Sequence, residues 1–161
     1  MSLLSSSFAK NKVSKLKKNG KVVVFTNGCF DLIHKGHTTY LKKARLLGDF
    51  LIVGLNSDKS VSNLKGENRP INSVEKRSAN LLKLDYVDVV VIFEENTPRK
   101  LINEICPNIL VKGGDYTKEE IVGADQVLKN GGEVVIIPLV QGYSTTKMIN
   151  VLNEKGLTGQ D

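Results

Sequence analysis

Apolar residues in this chain gather in short unbroken runs, separated by stretches in which they recur at every third or fourth position. The runs are Lys21–Asn27, Phe50–Leu55, Val87–Phe93, Asn108–Lys112 and Glu133–Pro138. In them β-branched residues follow one another instead of alternating with polar ones, which predicts strands covered on both faces. Between the runs the period lengthens. From Lys35 to Leu47, the residues His37, Leu41 and Ala44 share one stripe while Lys42, Lys43 and Arg45 face away, predicting a helix closed by Gly48. Ser73 caps a second helix running to about Leu84, and Thr97-Pro98 opens a third that Cys106-Pro107 closes. Ala124–Asn130 reads as a fourth, and Ser144 to about Asn153 as the last. Met1–Ser7 reads as a frayed end, and the polar stretch through Lys65-Gly66-Glu67-Asn68-Arg69-Pro70 as a loop. Alternation of buried strands with helices predicts an α/β fold, a Rossmann-like three-layer α/β/α sandwich around a mainly five-stranded parallel sheet.

Composition sharpens this picture in three places. The 161 residues, 40% apolar and 25% charged, suffice for one domain with a real core. Residues 21–153 are expected to form it, behind a basic extension at 1–20 and ahead of a tail at 154–161. No apolar run reaches the roughly 20 residues of a membrane helix, and the N-terminus lacks the apolar core of a signal peptide, so a cytoplasmic protein without a membrane partner is expected. Cys29 and Cys106 stand far apart without a Cys/His cluster, which predicts two buried thiols and no zinc site. The net charge of +6 resides entirely in Lys10, Lys12, Lys15, Lys17, Lys18 and Lys21. Phe8, Val13 and Leu16 interleave with these lysines as in a short helix with a solvated face, so no nucleic-acid partner is expected.

In open parallel sheets the ligand sits beyond the carboxyl ends of the strands, where strand order reverses. The glycine-rich segments Thr26–His37, Asn56–Asp58, Lys112–Asp115 and Gly142–Thr146 all follow strands and should meet at that edge. Neither a Gly-x-x-x-x-Gly-Lys-Ser/Thr loop nor a Gly-x-Gly-x-x-Gly turn is present. Instead, two helix starts lack the acid that their dipoles favour. The first carries His34-Lys35-Gly36-His37-Thr38-Thr39, and the last carries Tyr143-Ser144-Thr145-Thr146-Lys147. A polyanion bound between the two termini would supply the missing charge, so a phosphate site is expected. His37, on the apolar stripe, should point towards the sheet, with His34 just ahead of the helix. No third ligand lies at the spacing of a zinc helix, so the pair is not expected to hold a metal. Arg77 falls on an inward stripe and needs a partner, either an internal acid or a substrate phosphate.

These residues resemble a known family. Thr26-Asn27-Gly28-Cys29-Phe30-Asp31 with His34-Lys35-Gly36-His37 is similar to the His-x-Gly-His signature of the cytidylyltransferase-like nucleotidyltransferases. Gly142-Tyr143-Ser144-Thr145-Thr146 resembles their C-terminal motif. Asn56-Ser57-Asp58, Lys65-Gly66 with Arg69-Pro70, and Leu110–Tyr116 resemble the adenylyltransferase domain that makes ADP-heptose, over about residues 20–152. The resemblance implies transfer of AMP from ATP to D-glycero-β-D-manno-heptose 1-phosphate with Mg2+, for a bacterial surface glycan such as the lipopolysaccharide core. It implies His34 and His37 on phosphate oxygens in the transition state, and Thr26, Asn27, Gly28, Phe30, Tyr143, Ser144, Thr145 and Thr146 around the ATP. Gly113 and Asp115 would lie near the nucleoside, Asp31 would face the sugar, and Lys65 and Arg77 would neutralise the departing pyrophosphate. It further implies a homodimer or higher homo-oligomer, and a sugar kinase and a phosphatase supplied as separate proteins. Leu139-Val140-Gln141-Gly142 stands where related glycerol-phosphate cytidylyltransferases have Arg-Thr-Glu-Gly. That departure argues against cytidylyl transfer to a polyol or aminoalcohol phosphate, which is the alternative reaction; a regulatory nucleotide-binding module is the non-enzymatic one.

Overall fold

The computed structural model describes residues 2–114 and 116–138. Six strands, β1 (Ser2–Leu4), β2 (Val23–Gly28), β3 (Phe50–Asn56), β4 (Val89–Phe93), β5 (Ile109–Gly113) and β6 (Glu133–Ile137), form one sheet in the order β1-β4-β3-β2-β5-β6. Every pairing is parallel. The helices are α1 (Ser6–Lys18), α2 (Lys35–Arg45), α3 (Asp58–Lys65), α4 (Val74–Leu82), α5 (Arg99–Ile105) and α6 (Ala124–Lys129). Both faces of the sheet are covered, as the unbroken apolar runs require. On one side Val23 and Phe25 of β2 pack with Ala9 and Val13 of α1, Leu101 and Ile102 of α5 and Val127 of α6. On the other, Val24 packs with Tyr40, Leu41 and Ala44 of α2 and Leu81 of α4. No helix among the described residues is long and apolar enough to cross a membrane.

Two sequence expectations give way here. Ser2–Leu4, read as a frayed end, instead adds a sixth strand at the edge, with Ser2, Leu3 and Leu4 opposite Val89, Val90 and Val91. Three residues are too few to show an alternation, and the serines that looked disordered include the cap of α1, where Ser5 accepts the Phe8 amide. The polar stretch before Gly66 is helical as far as Lys65. Ser57 caps it, and its inward side consists of only Ser60 and Val61, too little apolar surface to betray a helix. The helix expected from Ser144 lies outside the described residues.

Candidate active site

Strand order reverses beside β2: β3 and β4 lie to one side of it, β5 and β6 to the other. Above this point the chain forms an open cleft lined by Asn27, Gly28, Cys29, Phe30 and Asp31 after β2, His37 and Tyr40 from α2, Lys65 from the end of α3, and Lys112 and Gly113 from β5. The fold thus brings together Asn27, Gly28, Phe30, Asp31, His37, Lys65 and Gly113 of the expected site, with His34 stacked on His37 at 3.9 Å between ring centroids. Asp115, Tyr143, Ser144, Thr145 and Thr146 fall outside the described residues. Gly28 is required by a close approach, because a Cβ there would lie 2.8 Å from the Phe30 ring. Phe30 adopts a left-handed φ of 46° and sets its ring edge-on to His37, 5.3 Å between centroids.

The histidines build their own helix start. His34 occupies the N-cap of α2, its Nδ1 accepting the Gly36 amide at 3.1 Å, while His37 Nδ1 accepts the His34 amide at 3.3 Å. Imidazoles thereby play both parts of a capping box, the parts usually taken by Ser or Thr and by Glu. A neutral ring whose Nδ1 accepts carries its proton on Nε2, so each side chain presents an N–H on its Nε2 side. Burial, reinforced by the neighbouring His34 and opposed by the Leu32 carbonyl, lowers the His37 pKa to about 4. Desolvation lowers that of His34 as well. Neutral donors at a helix N-terminus suit phosphate oxygens.

Three residues expected to bind ligand are each held by the protein itself in this structure. Arg77 is fully buried, and its guanidinium donates to the Asn72, Cys29 and Asn56 carbonyls at 3.0, 2.8 and 2.8 Å and to Asp58 Oδ1 at 2.8 Å. It holds together the ends of β2 and β3 and the loop before α4. Of the two partners open to it, an internal acid is the one found, joined by three carbonyls. Asp31 stands at the cleft wall. Its buried carboxylate accepts from Arg69 Nε at 3.1 Å and from the Ile71 and Asn72 amides at 2.8 Å each. The Thr26 side chain is buried, its hydroxyl bonded to Tyr40, whose own hydroxyl donates to the Val111 carbonyl at 3.2 Å. Burial accordingly raises the Tyr40 pKa.

What remains open to the cleft is cationic. Lys65 is exposed, and Lys112 is half-buried, with its proton affinity lowered by desolvation and by Lys65. Cys29 is half-exposed, contrary to the expectation of a buried thiol, and so is Cys106. Burial raises the Cys29 pKa against the pull of Lys65, Arg77 and Arg69. Sequence reasoning named neither Tyr40 nor Lys112 as a site residue, although it placed the segment Lys112–Asp115 at this edge. Tyr40 lies on the Leu41–Ala44 side of a helix already found, and Lys112 stands one residue before the end of β5. No group of three or more His, Cys, Asp or Glu residues that could hold a metal occurs among the described residues, and Asp31 is engaged.

Comparison with known proteins agrees with this geometry. The family described as cytidylyltransferase-like matches residues 25–151. The bifunctional protein HldE of Actinobacillus pleuropneumoniae serotype 5b (strain L20) is 52% identical over 147 residues, covering 91% of this chain and 31% of the relative. HldE of Syntrophotalea carbinolica is 56% identical over 133 residues, 83% of this chain and 27% of the relative. The chain thus spans about a third of the length of these relatives. A solved lipopolysaccharide core biosynthesis protein from Thermoplasma volcanium aligns with a TM-score of 0.63 at 29% identity, over 78% of this chain and all of the other. The pantoate-beta-alanine ligase of Francisella tularensis has the same TM-score at 17% identity, over 100% of this chain and 80% of that one, a likeness of fold alone.

Proposed function

Because the chain belongs to the cytidylyltransferase-like family of nucleotidyltransferases, we propose that it transfers AMP from ATP to D-glycero-β-D-manno-heptose 1-phosphate, releasing pyrophosphate and forming ADP-heptose. The observation that carries this reading is the cleft itself. One neutral imidazole, His37 at a helix N-terminus with His34 stacked on it, and two ammonium groups line it, while the carboxylate beside them is spent on Arg69 and two amides. Such a site favours polyanions. The HldE relatives direct the choice towards a heptose phosphate.

A phosphate oxygen of the sugar attacks the α-phosphorus in line. The new P–O bond forms as the bond to the β-phosphate bridging oxygen breaks, and the electron pair leaves with pyrophosphate. The nucleophile is already anionic at neutral pH, so no protein base takes a proton. Catalysis consists of positioning and of stabilising charge that grows on the α-phosphate and the leaving group. His34 and His37 donate to the α-phosphate oxygens, strengthening as charge develops, and Lys65 neutralises the leaving group.

The test is pyrophosphate release with ATP and with CTP across heptose 1-phosphate, glycerol 3-phosphate and other phosphorylated acceptors. Release with ATP and heptose 1-phosphate above every other pair is the expected result. Preference for CTP with a polyol phosphate would replace the reading, and nucleotide binding without release under any acceptor would reduce the domain to a regulatory module.

A further inference from the structure

Lys112 is the feature that the chemistry above leaves unused. It stands on β5, the strand next to β2 at the point where strand order reverses, one residue before the strand ends at Gly113. Its side chain lines the cleft and is half-buried. Among the described residues it forms no ion pair with a carboxylate. Its neighbours are the Tyr116 ring, 5.9 Å from Nζ, the Cys29 thiol and the like-charged Lys65. An ammonium drawn out of water without an anion is costly, and the cost is removed when an anion arrives from outside.

The cations of the cleft are not equivalent. Lys65 ends α3, which follows β3, and Lys112 stands on β5, so the two cations flank β2, the strand that leads into the histidine helix start, from opposite sides. Two anionic substrates must be brought to one phosphorus atom. The helix start and Lys65 serve the nucleotide; a second cation is needed where the other phosphate approaches, and β5 supplies it.

Resting on the adenylyl-transfer reading, we propose that Lys112 binds the phosphate of the acceptor sugar and holds its attacking oxygen against the repulsion of the triphosphate. This makes it a substrate-binding residue of the attacking side, distinct from those that serve the nucleotide.

Kinetics with ATP and heptose 1-phosphate varied separately test the assignment. Lys112→Met keeps the apolar stem that packs at the cleft wall and removes the charge. The expected result is a rise of about tenfold to a hundredfold in KM for the sugar phosphate, the loss of one charge-assisted contact, with KM for ATP within about twofold. Lys112→Arg should recover part of the loss, which also guards against a Met variant that fails to fold. A raised KM for ATP with the sugar phosphate unaffected, or no change in either, overturns the proposal. Failure of the adenylyl-transfer reading would show differently, as absence of pyrophosphate release by the unsubstituted chain. Lys112 is then decided by calorimetric titration of inorganic phosphate in the presence of a non-hydrolysable ATP analogue: weaker binding in Lys112→Met supports the assignment, and equal binding removes it.

Discussion

Arg77 on α4 and His37 on α2 look alike in the chain, each a polar side chain on an inward stripe, yet the structure uses them in opposite ways. Arg77 turns every identified hydrogen bond inward, to three carbonyls and Asp58, and is sealed from solvent. His37 accepts the His34 amide at Nδ1, bonds the Leu32 carbonyl and stands at the cleft wall. The difference lies in what each can donate. A guanidinium has five N–H groups in a fixed fork and can satisfy loop carbonyls that no strand reaches, whereas a neutral imidazole has one donor and one acceptor and can cap a helix with one while offering the other. One region stores stability beneath the site, and the other exposes chemistry on top of it.

The sharpest way to break this contrast is to remove Arg77. Arg77→Ala should destabilise the fold by about 3–5 kcal/mol, since it leaves buried carbonyls and Asp58 without their donor. Arg77→Lys should recover little, because an ammonium cannot span the same fork. Denaturant unfolding measures both. Unchanged stability with lost turnover would instead return Arg77 to the substrate.

Next in size is His37→Ala, which should lower kcat by about 10²–10³-fold while leaving KM for ATP little changed, the pattern of a donor used mainly in the transition state. Equal losses in nucleotide binding and turnover would contradict that role. The same side chain sets a pH dependence. Its folded pKa, about 4, lies below the ordinary 6.5, so the unfolded chain takes up the proton first. Its contribution is intact above pH 6.5, falls as the pH drops towards 4 and is constant below that, a loss of at most about 3 kcal/mol. Thermal melts of His37→Gln should show a shallower decline than the unsubstituted chain across that window; parallel declines would mean that burial does not hold the ring neutral.

Much of this was legible in the sequence, for reasons that also explain the misses. The five unbroken apolar runs announce a parallel sheet, and His34 and His37 stand out because a helix start without an acid is electrostatically incomplete. Arg77 was visible as a buried charge, but the partners that decide its role are backbone carbonyls of Cys29, Asn56 and Asn72, and carbonyls leave no mark in the letters. The same holds for Asp31, whose partners include the amides of Ile71 and Asn72, about forty residues away in the chain. The place of Lys112–Asp115 at the sheet edge was legible, but the half-burial of Lys112 follows from the position of β5 beside β2, a property of strand order and not of any motif.

The smallest expected effect separates the cap that His34 provides from the role proposed for its ring. As N-cap it accepts the Gly36 amide, and in the proposed reaction its ring N–H would donate to phosphate. Asn is among the best caps and Ala among the worst, so His34→Ala should lose about 1 kcal/mol of stability while His34→Asn loses almost none. Turnover should fall in both, because neither replacement puts an imidazole N–H where the α-phosphate oxygens would lie. The His34 amide that His37 accepts belongs to the backbone and survives either change, so His37 keeps its orientation and the two effects stay separate. If His34→Asn restored turnover along with stability, His34 would be only a cap, and the Nε2 side of His37 would be left as the single imidazole donor at the reacting phosphorus.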